Sequence, residues 1–134
     1  MLKLKFLGKF RDFGLLVIRI GLGLAFVMHG KGKMFSPDMW AGIGGAMARW
    51  GITFAPTFWG FMAAFAEFGG GILMVIGFLF RPAMAMMAFT MAVALSFHLG
   101  RNDDFNTYSH ALEAGIVFLG LLFVGPGKFS LDGE

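Results

Sequence analysis

The sequence predicts an all-α integral membrane protein: a four-helix bundle with a short interfacial helix between its first and second spans. Composition and one pattern predict it. The 134 residues are 57% hydrophobic and only 14% charged, where a soluble domain carries about 25% charged residues. Mean hydropathy is +0.75, more apolar surface than a soluble fold of this size can hide. The apolar residues also gather into four runs, at about 13–30, 57–79, 82–100 and 108–125, each near the roughly 20 residues a helix needs to cross a bilayer. Only helices suit such runs, because an open strand leaves its backbone unsatisfied in lipid.

Each element has its own signals. Before the first run stand Lys3, Lys5, Lys9 and Arg11, as in a signal peptide, but Leu24-Ala25-Phe26-Val27-Met28-His29 offers no small-x-small cleavage pattern, so the run reads as a retained helix. In the longest connection, about 31–56, Ser36 is a candidate N-cap, Pro37 a first helical residue and Gly51 a stop. Between them Met39, Trp40, Ile43, Met47 and Trp50 share one face, which predicts a short helix at headgroup depth, either a plain amphipathic connector or a lid over the bundle mouth. Arg81-Pro82 ends the second span and opens the third, a joint so short that the two are antiparallel neighbours. Residues 100–107 are a polar turn, and Gly125-Pro126-Gly127 stops the last span. No repeat, linker or low-complexity tract divides the chain, so 1–134 reads as one domain.

Charge placement orients the bundle. The N-terminal lysines with Arg11, together with Arg81, fall on one side, and Lys31, Lys33, Arg49 and Arg101 on the other. The positive-inside rule then places both termini in the cytoplasm. The pI of 9.6 thus reflects topology signals and not a nucleic-acid surface, since no basic stripe is interleaved with stacking aromatics. The absence of cysteine excludes thiolate catalysis, disulfide exchange and iron–sulfur ligation through this chain.

Polar residues inside the spans carry the chemistry. A carboxylate at a helix centre costs roughly 2.5–3.5 kcal/mol, yet Glu67 stands mid-span, on a face shared with Gly60, Ala63, Ala64, Gly70 and Gly71. Small residues let helices approach, so Glu67 points into the bundle. There it either locks helices by a hydrogen bond or handles a ligand or proton. Arg19 interrupts the first run. It snorkels or pairs for structure, or else reaches Glu67 and sets its charge.

A second group gathers at the outer ends. His29 and Lys33 close the first span, His98 the third, and His110 with Glu113 open the fourth. Three histidines and a carboxylate raise a metal, but bundle di-metal sites use Glu-x-x-His on two helices, and here one His-x-x-Glu stands in reverse order. No metal is assigned. The methionines of the third span read as adaptable packing and not a copper stripe. A quinone fits better: it needs apolar walls, an opening to lipid and a donor or acid near each carbonyl.

Several motifs, in this order, resemble the DoxX family of small bacterial four-helix membrane proteins. They are Arg19 with Gly21 and Gly23; His29-Gly30-Lys31-Gly32-Lys33 with Phe35; Ala66-Glu67-Phe68-Gly69-Gly70-Gly71; Gly77-Phe78-Leu79-Phe80-Arg81; and Gly125-Pro126-Gly127-Lys128-Phe129-Ser130-Leu131-Asp132. The resemblance implies the fold, the membrane location and a polar site of Arg19, His29, Lys33, Glu67 and Arg81. It implies a redox association more loosely, because members are linked to thiosulfate:quinone oxidoreduction, methylamine oxidation, quinone and catechol stress, and thiol or radical detoxification. No extra domain of a complete thiosulfate-oxidising enzyme is expected in this chain.

Three functions stay open. The first is a subunit that serves a redox or quinone-linked system beside a redox partner subunit and binds a quinone in the bundle. The second is a non-catalytic scaffold or cargo-binding protein. The third is small-molecule transport, which four short helices would achieve only as a homo-oligomer.

Overall fold

A computed structural model describes residues 3–134. Four long helices carry the chain back and forth: α1 (Arg11–Met34), α3 (Pro56–Ile76), α4 (Phe80–Gly100) and α5 (Phe105–Val124), with a short α2 (Trp40–Gly44) in the first connection. All four long helices are long and apolar enough to cross a membrane, and no strand occurs among the described residues. The lipid-facing surface is apolar, with Val17, Ile18, Leu24 and Met28 exposed on α1 and Ile116, Leu119 and Phe123 on α5.

Helix α1 packs against α3, α3 against α4, and α4 against α5. The α1–α3 seam is built from glycine. A Cβ on Gly23 would lie 2.7 Å from the Val75 side chain and 3.1 Å from the Gly71 carbonyl oxygen, and one on Gly30 would meet the backbone of Glu67 and Phe68. This close approach fixes the register of the two antiparallel helices. Phe26, buried, closes the ring of helices by setting its edge against Phe118 of α5 at 4.8 Å between centroids. Met74, Phe80, Met84, Met87 and Met91 fill the middle. Met84, Met87 and Met91 of the third span are therefore core packing.

With Gly30 level with Glu67 and Phe68, α1 ends at Met34 about two turns short of the outer end of α3. The first connection fills that gap. It runs as a 3₁₀ turn (Pro37–Met39), α2, and a second 3₁₀ stretch (Gly45–Trp50). Backbone meets backbone there: a Cβ on Gly60 would overlap the Trp40 carbonyl oxygen, and one on Gly44 the Pro56 carbonyl oxygen. The connection is thus docked on α3. Pro37 opens it and Gly51, at φ 79°, ends it, but Ser36 makes no side-chain cap. Nor do the five apolar residues share one face: Met47 is buried while Met39 and Trp50 are exposed. The 3₁₀ winding on both sides of α2, at 3.0 residues per turn, breaks the 3.6-residue period.

Helix ends differ slightly from the sequence reading. Helix α3 stops at Ile76, three residues before the expected end, because Gly77 takes the left-handed conformation at φ 70°. Helix α4 starts at Phe80, with Pro82 in its first turn. Both chain ends lie at the same end of the bundle, joined where the Lys128 N–H donates to Asp12 at 3.2 Å.

Candidate functional site

Seven of the eight candidate residues separate into two ends of the molecule. At the end that holds the termini, Arg19 and Arg81 complete helix C-termini. The last four carbonyls of a helix have no partner within it, and in lipid each must find one. In α3 all four are met. Leu73 O accepts from Gly77 N at 2.8 Å, Ile76 O from Leu131 N at 3.2 Å, and Arg19 serves the two between, with Nε on Met74 O at 3.0 Å and Nη2 on Val75 O at 2.8 Å. The same guanidinium donates through Nη1 to Phe129 O at 2.8 Å and Pro126 O at 3.3 Å, which ties the C-terminal tail to α3. Arg81 does the same for α5, donating to Leu122 O at 2.7 Å and Phe123 O at 3.0 Å. It also pairs with Glu134 at 3.0 Å.

Arg19 therefore does not meet Glu67. The glycine register sets it level with Met74 and Val75, seven to eight residues from Glu67, or about 11–12 Å of helix. The expected contact fails because relative depth is set by the glycine seam and not by the ends of the apolar runs. Glu113 is exposed on α5 and joins neither end: among the described residues it makes no ion pair, and it does not line the cavities beside Glu67.

The other five residues converge at the connector end. The Lys33 ammonium lies 3.0 Å from Glu67 Oε1 and 2.9 Å from Oε2, a two-pronged pair in which the carboxylate is nearly buried and the lysine side chain 37% exposed. Glu67 answers the cost of its burial with this partner. The register explains the match, since three residues beyond Gly30 on α1 put Lys33 over the face of α3 that holds Glu67. The Lys33 carbonyl is itself held by the Trp40 indole N–H at 2.8 Å, so the docked connector braces the backbone that carries the ammonium.

On one side of the pair lies a polar cavity of about 190 Å³ lined by His29, His98, Thr107 and His110 together with Lys33 and Glu67. His29 and His110 face each other with ring centroids 5.0 Å apart. Phe26 sets both: it stacks on His110 at 5.6 Å and turns its edge to His29 at 5.5 Å. The His98 Nδ1 sits 2.8 Å from an Asp103 carboxylate oxygen. An ionised carboxylate only accepts, so Nδ1 carries the proton and Nε2 is left for the cavity. No three potential ligands from histidine, cysteine, aspartate or glutamate come together for a metal among the described residues.

On the other side lies an apolar cavity of about 180 Å³ between α3, α4 and the connector, walled by Ile43, Trp59, Met62, Met86 and Phe89, with Lys33 and Glu67 at its inner end. Thr90 joins the wall with its hydroxyl donating to Met86 O at 2.9 Å, which leaves the hydroxyl oxygen able to accept. Sequence reasoning missed Trp59, Thr90, Asp103 and the place of Phe26. The run of small residues on α3 was a signal that space is left beside Glu67, but nothing local tells which helix borders it.

The molecule is thus a multi-pass helical bundle that sets the Lys33–Glu67 ion pair between an apolar and a histidine-lined cavity. The chain belongs to the DoxX family, whose model matches residues 14–99. It is 33% identical over 127 residues to "Inner membrane protein YqjF" of Escherichia coli (strain K12), covering 92% of this chain and 93% of that protein. It is 30% identical over 135 residues to a protein of Haemophilus influenzae described as uncharacterized, covering 96% and 95%. No solved structure matches. The family model ends before the tail motif, whereas both relatives extend over most of the chain.

Proposed function

We propose that this protein is a ligand-binding subunit of a redox or quinone-linked system in the inner membrane, and that Lys33 and Glu67 hold the polar head of a quinone-like molecule. One observation carries the reading: an ion pair with a buried carboxylate and a half-exposed ammonium, placed between two cavities. A pair needed only for packing would be sealed by side chains on every side, as buried charges are costly unless fully satisfied. Here Lys33 has a third N–H free of Glu67, directed by neither helix, and a carbonyl is its natural acceptor. The histidines border the same pair and can pass or take a proton at a ring nitrogen. The apolar cavity receives the ring. Electrons come from a partner subunit.

The name of the Escherichia coli relative supports the inner membrane as the location. The lysines before α1, with Arg11 and Arg81, support a cytoplasmic place for both termini.

The test is a native mass spectrum of the protein released from mild detergent. A retained adduct of quinone size, weakened by Glu67→Gln, is the expected result. A bare polypeptide, or one carrying only phospholipid, would move the pair to a scaffold role.

A further inference from the structure

The two cavities beside the ion pair differ in what can fill them. Helices α1 and α5 touch where Phe26 meets Phe118. On the connector side of that contact His29, Thr107 and His110 are exposed, and all three line the polar cavity. Its mouth therefore lies between α1 and α5, within about 8 Å of the first residue of α5. Lys33 lines it too, with a side chain 37% exposed. At about 190 Å³, with three imidazoles, a hydroxyl and an ion pair on its walls, this cavity has the room and the polar partners that water needs. The other cavity is walled mostly by hydrocarbon. Lys33 and Glu67 are the charged residues common to both. The pair thus stands where a wet space meets an apolar one, at the end of the bundle opposite the chain termini.

We infer that the histidine-lined cavity is a hydrated vestibule that carries protons between the Lys33–Glu67 pair and the aqueous side opposite the termini. The inference rests on the quinone-site reading and adds to it a proton route and its side. A quinone becomes a quinol by gaining two electrons, here from the redox centre of the partner subunit, and two protons, one on each oxygen. Bulk water supplies the protons. Asp103 accepts from the His98 Nδ1–H at 2.8 Å, so Nε2 takes a proton from water, passes it on through the vestibule and leaves the ring neutral again. The Glu67 carboxylate receives that proton and yields it to the ligand oxygen held beside Lys33. Around this route stand His29 and Lys33 on α1, Glu67 on α3, His98 on α4 and His110 on α5. Arg101 lies 3.9 Å from Asp103, and Glu113 stands a turn beyond His110, outside the vestibule.

The chain has no cysteine, so single introduced cysteines report alone. Ala111→Cys borders the vestibule and Ala63→Cys the apolar cavity. In sealed membrane vesicles, with sidedness fixed by protease cleavage of a terminal tag, a small charged thiosulfonate is added on the side opposite the termini. It should label Ala111→Cys and leave Ala63→Cys unmodified. Equal labelling of both, none at Ala111→Cys, or labelling from the terminal side alone would overturn the inference. Proton transfer is read separately. Protein loaded with a short-tailed benzoquinone is mixed rapidly with dithionite, and quinol formation is followed by ultraviolet absorbance. His98→Gln, which keeps a partner for Asp103 but ends proton exchange at that position, should slow quinol formation about tenfold or more. Calorimetric titration should show the quinone still bound. Added imidazole should restore the rate, which a purely structural role would not allow. An unchanged rate in His98→Gln, or a slowed rate that imidazole does not restore, would overturn the route while quinone binding itself stood. Failure of the wild type to bind the benzoquinone would remove the quinone-site reading and this inference with it.

Discussion

Lys33 of α1 and Glu67 of α3 form a two-pronged ion pair at 2.9 and 3.0 Å, and the pair borders two cavities in the bundle. Removing either partner alone leaves the other charge without compensation. Lys33→Met is expected to cost about 1–3 kcal/mol, below the full cost of breaking a buried pair because the lysine is partly exposed. Lys33→Met combined with Glu67→Leu should recover much of that loss. A double-mutant cycle on thermal unfolding in detergent measures it; strictly additive losses would mean that the two side chains do not interact.

Arg19 has a different job, and its replacement should read out differently. Arg19→Met strips acceptors' partners from both α3 and the tail, and an expected loss of about 3 kcal/mol or more follows from several orphaned carbonyls. Arg19→Lys should not rescue it, because a single ammonium cannot reproduce a planar fork that serves four oxygens in two segments. Limited proteolysis should show the tail after Pro126 cleaved first. Quinone affinity, measured on the protein that remains folded, should change little.

Asp132 caps α4 from the tail, accepting from Leu79 N at 3.1 Å and Phe80 N at 2.8 Å. Leu79 is held there in the left-handed region at φ 48°, an uncommon state for leucine. Asp132→Ala is expected to cost about 1 kcal/mol, the usual loss on removing a helix cap. A lowered unfolding temperature with unchanged ligand retention is the outcome that checks it.

The docked connector makes the last prediction. Gly60→Ala should push α2 off α3, since its Cβ would overlap the Trp40 carbonyl, whereas Gly42→Ala meets nothing within 4 Å. Gly60→Ala is expected to raise the water accessibility of a cysteine placed at Ile43, measured by thiol labelling, and Gly42→Ala to leave it as it was. Equal labelling in both would mean that the connector is not seated by this glycine.

How far the sequence could be read depended on the range of the physics involved. The four spans were legible because lipid forces apolar length onto each helix locally, and backbone chemistry alone marked Pro37 and Gly51 as the ends of the connector and Gly125 as the stop of the last span. That Glu67 faces inward was legible from Gly60, Ala64 and Gly70 on the same face. The partner of Glu67 was not: it depends on the glycine seam between α1 and α3, and a slip of one turn would have brought a different base alongside. Arg19 was ambiguous for the same reason, since its acceptors are backbone carbonyls, which every residue has and no pattern marks. His110 and Glu113 looked equivalent by spacing, yet only His110 turns toward α1, where Phe26 waits for it.

The tail has a consequence for biosynthesis. Residues 126–132 leave the ribosome after all four spans, yet they supply acceptors for Arg19, a donor for Ile76 and the cap of α4. Until they arrive, a guanidinium and the α3–α4 turn stand half-satisfied inside the membrane. A chain released before Pro126 would carry four hydrophobic spans without the partners that tie Arg19 and the α3–α4 turn in place.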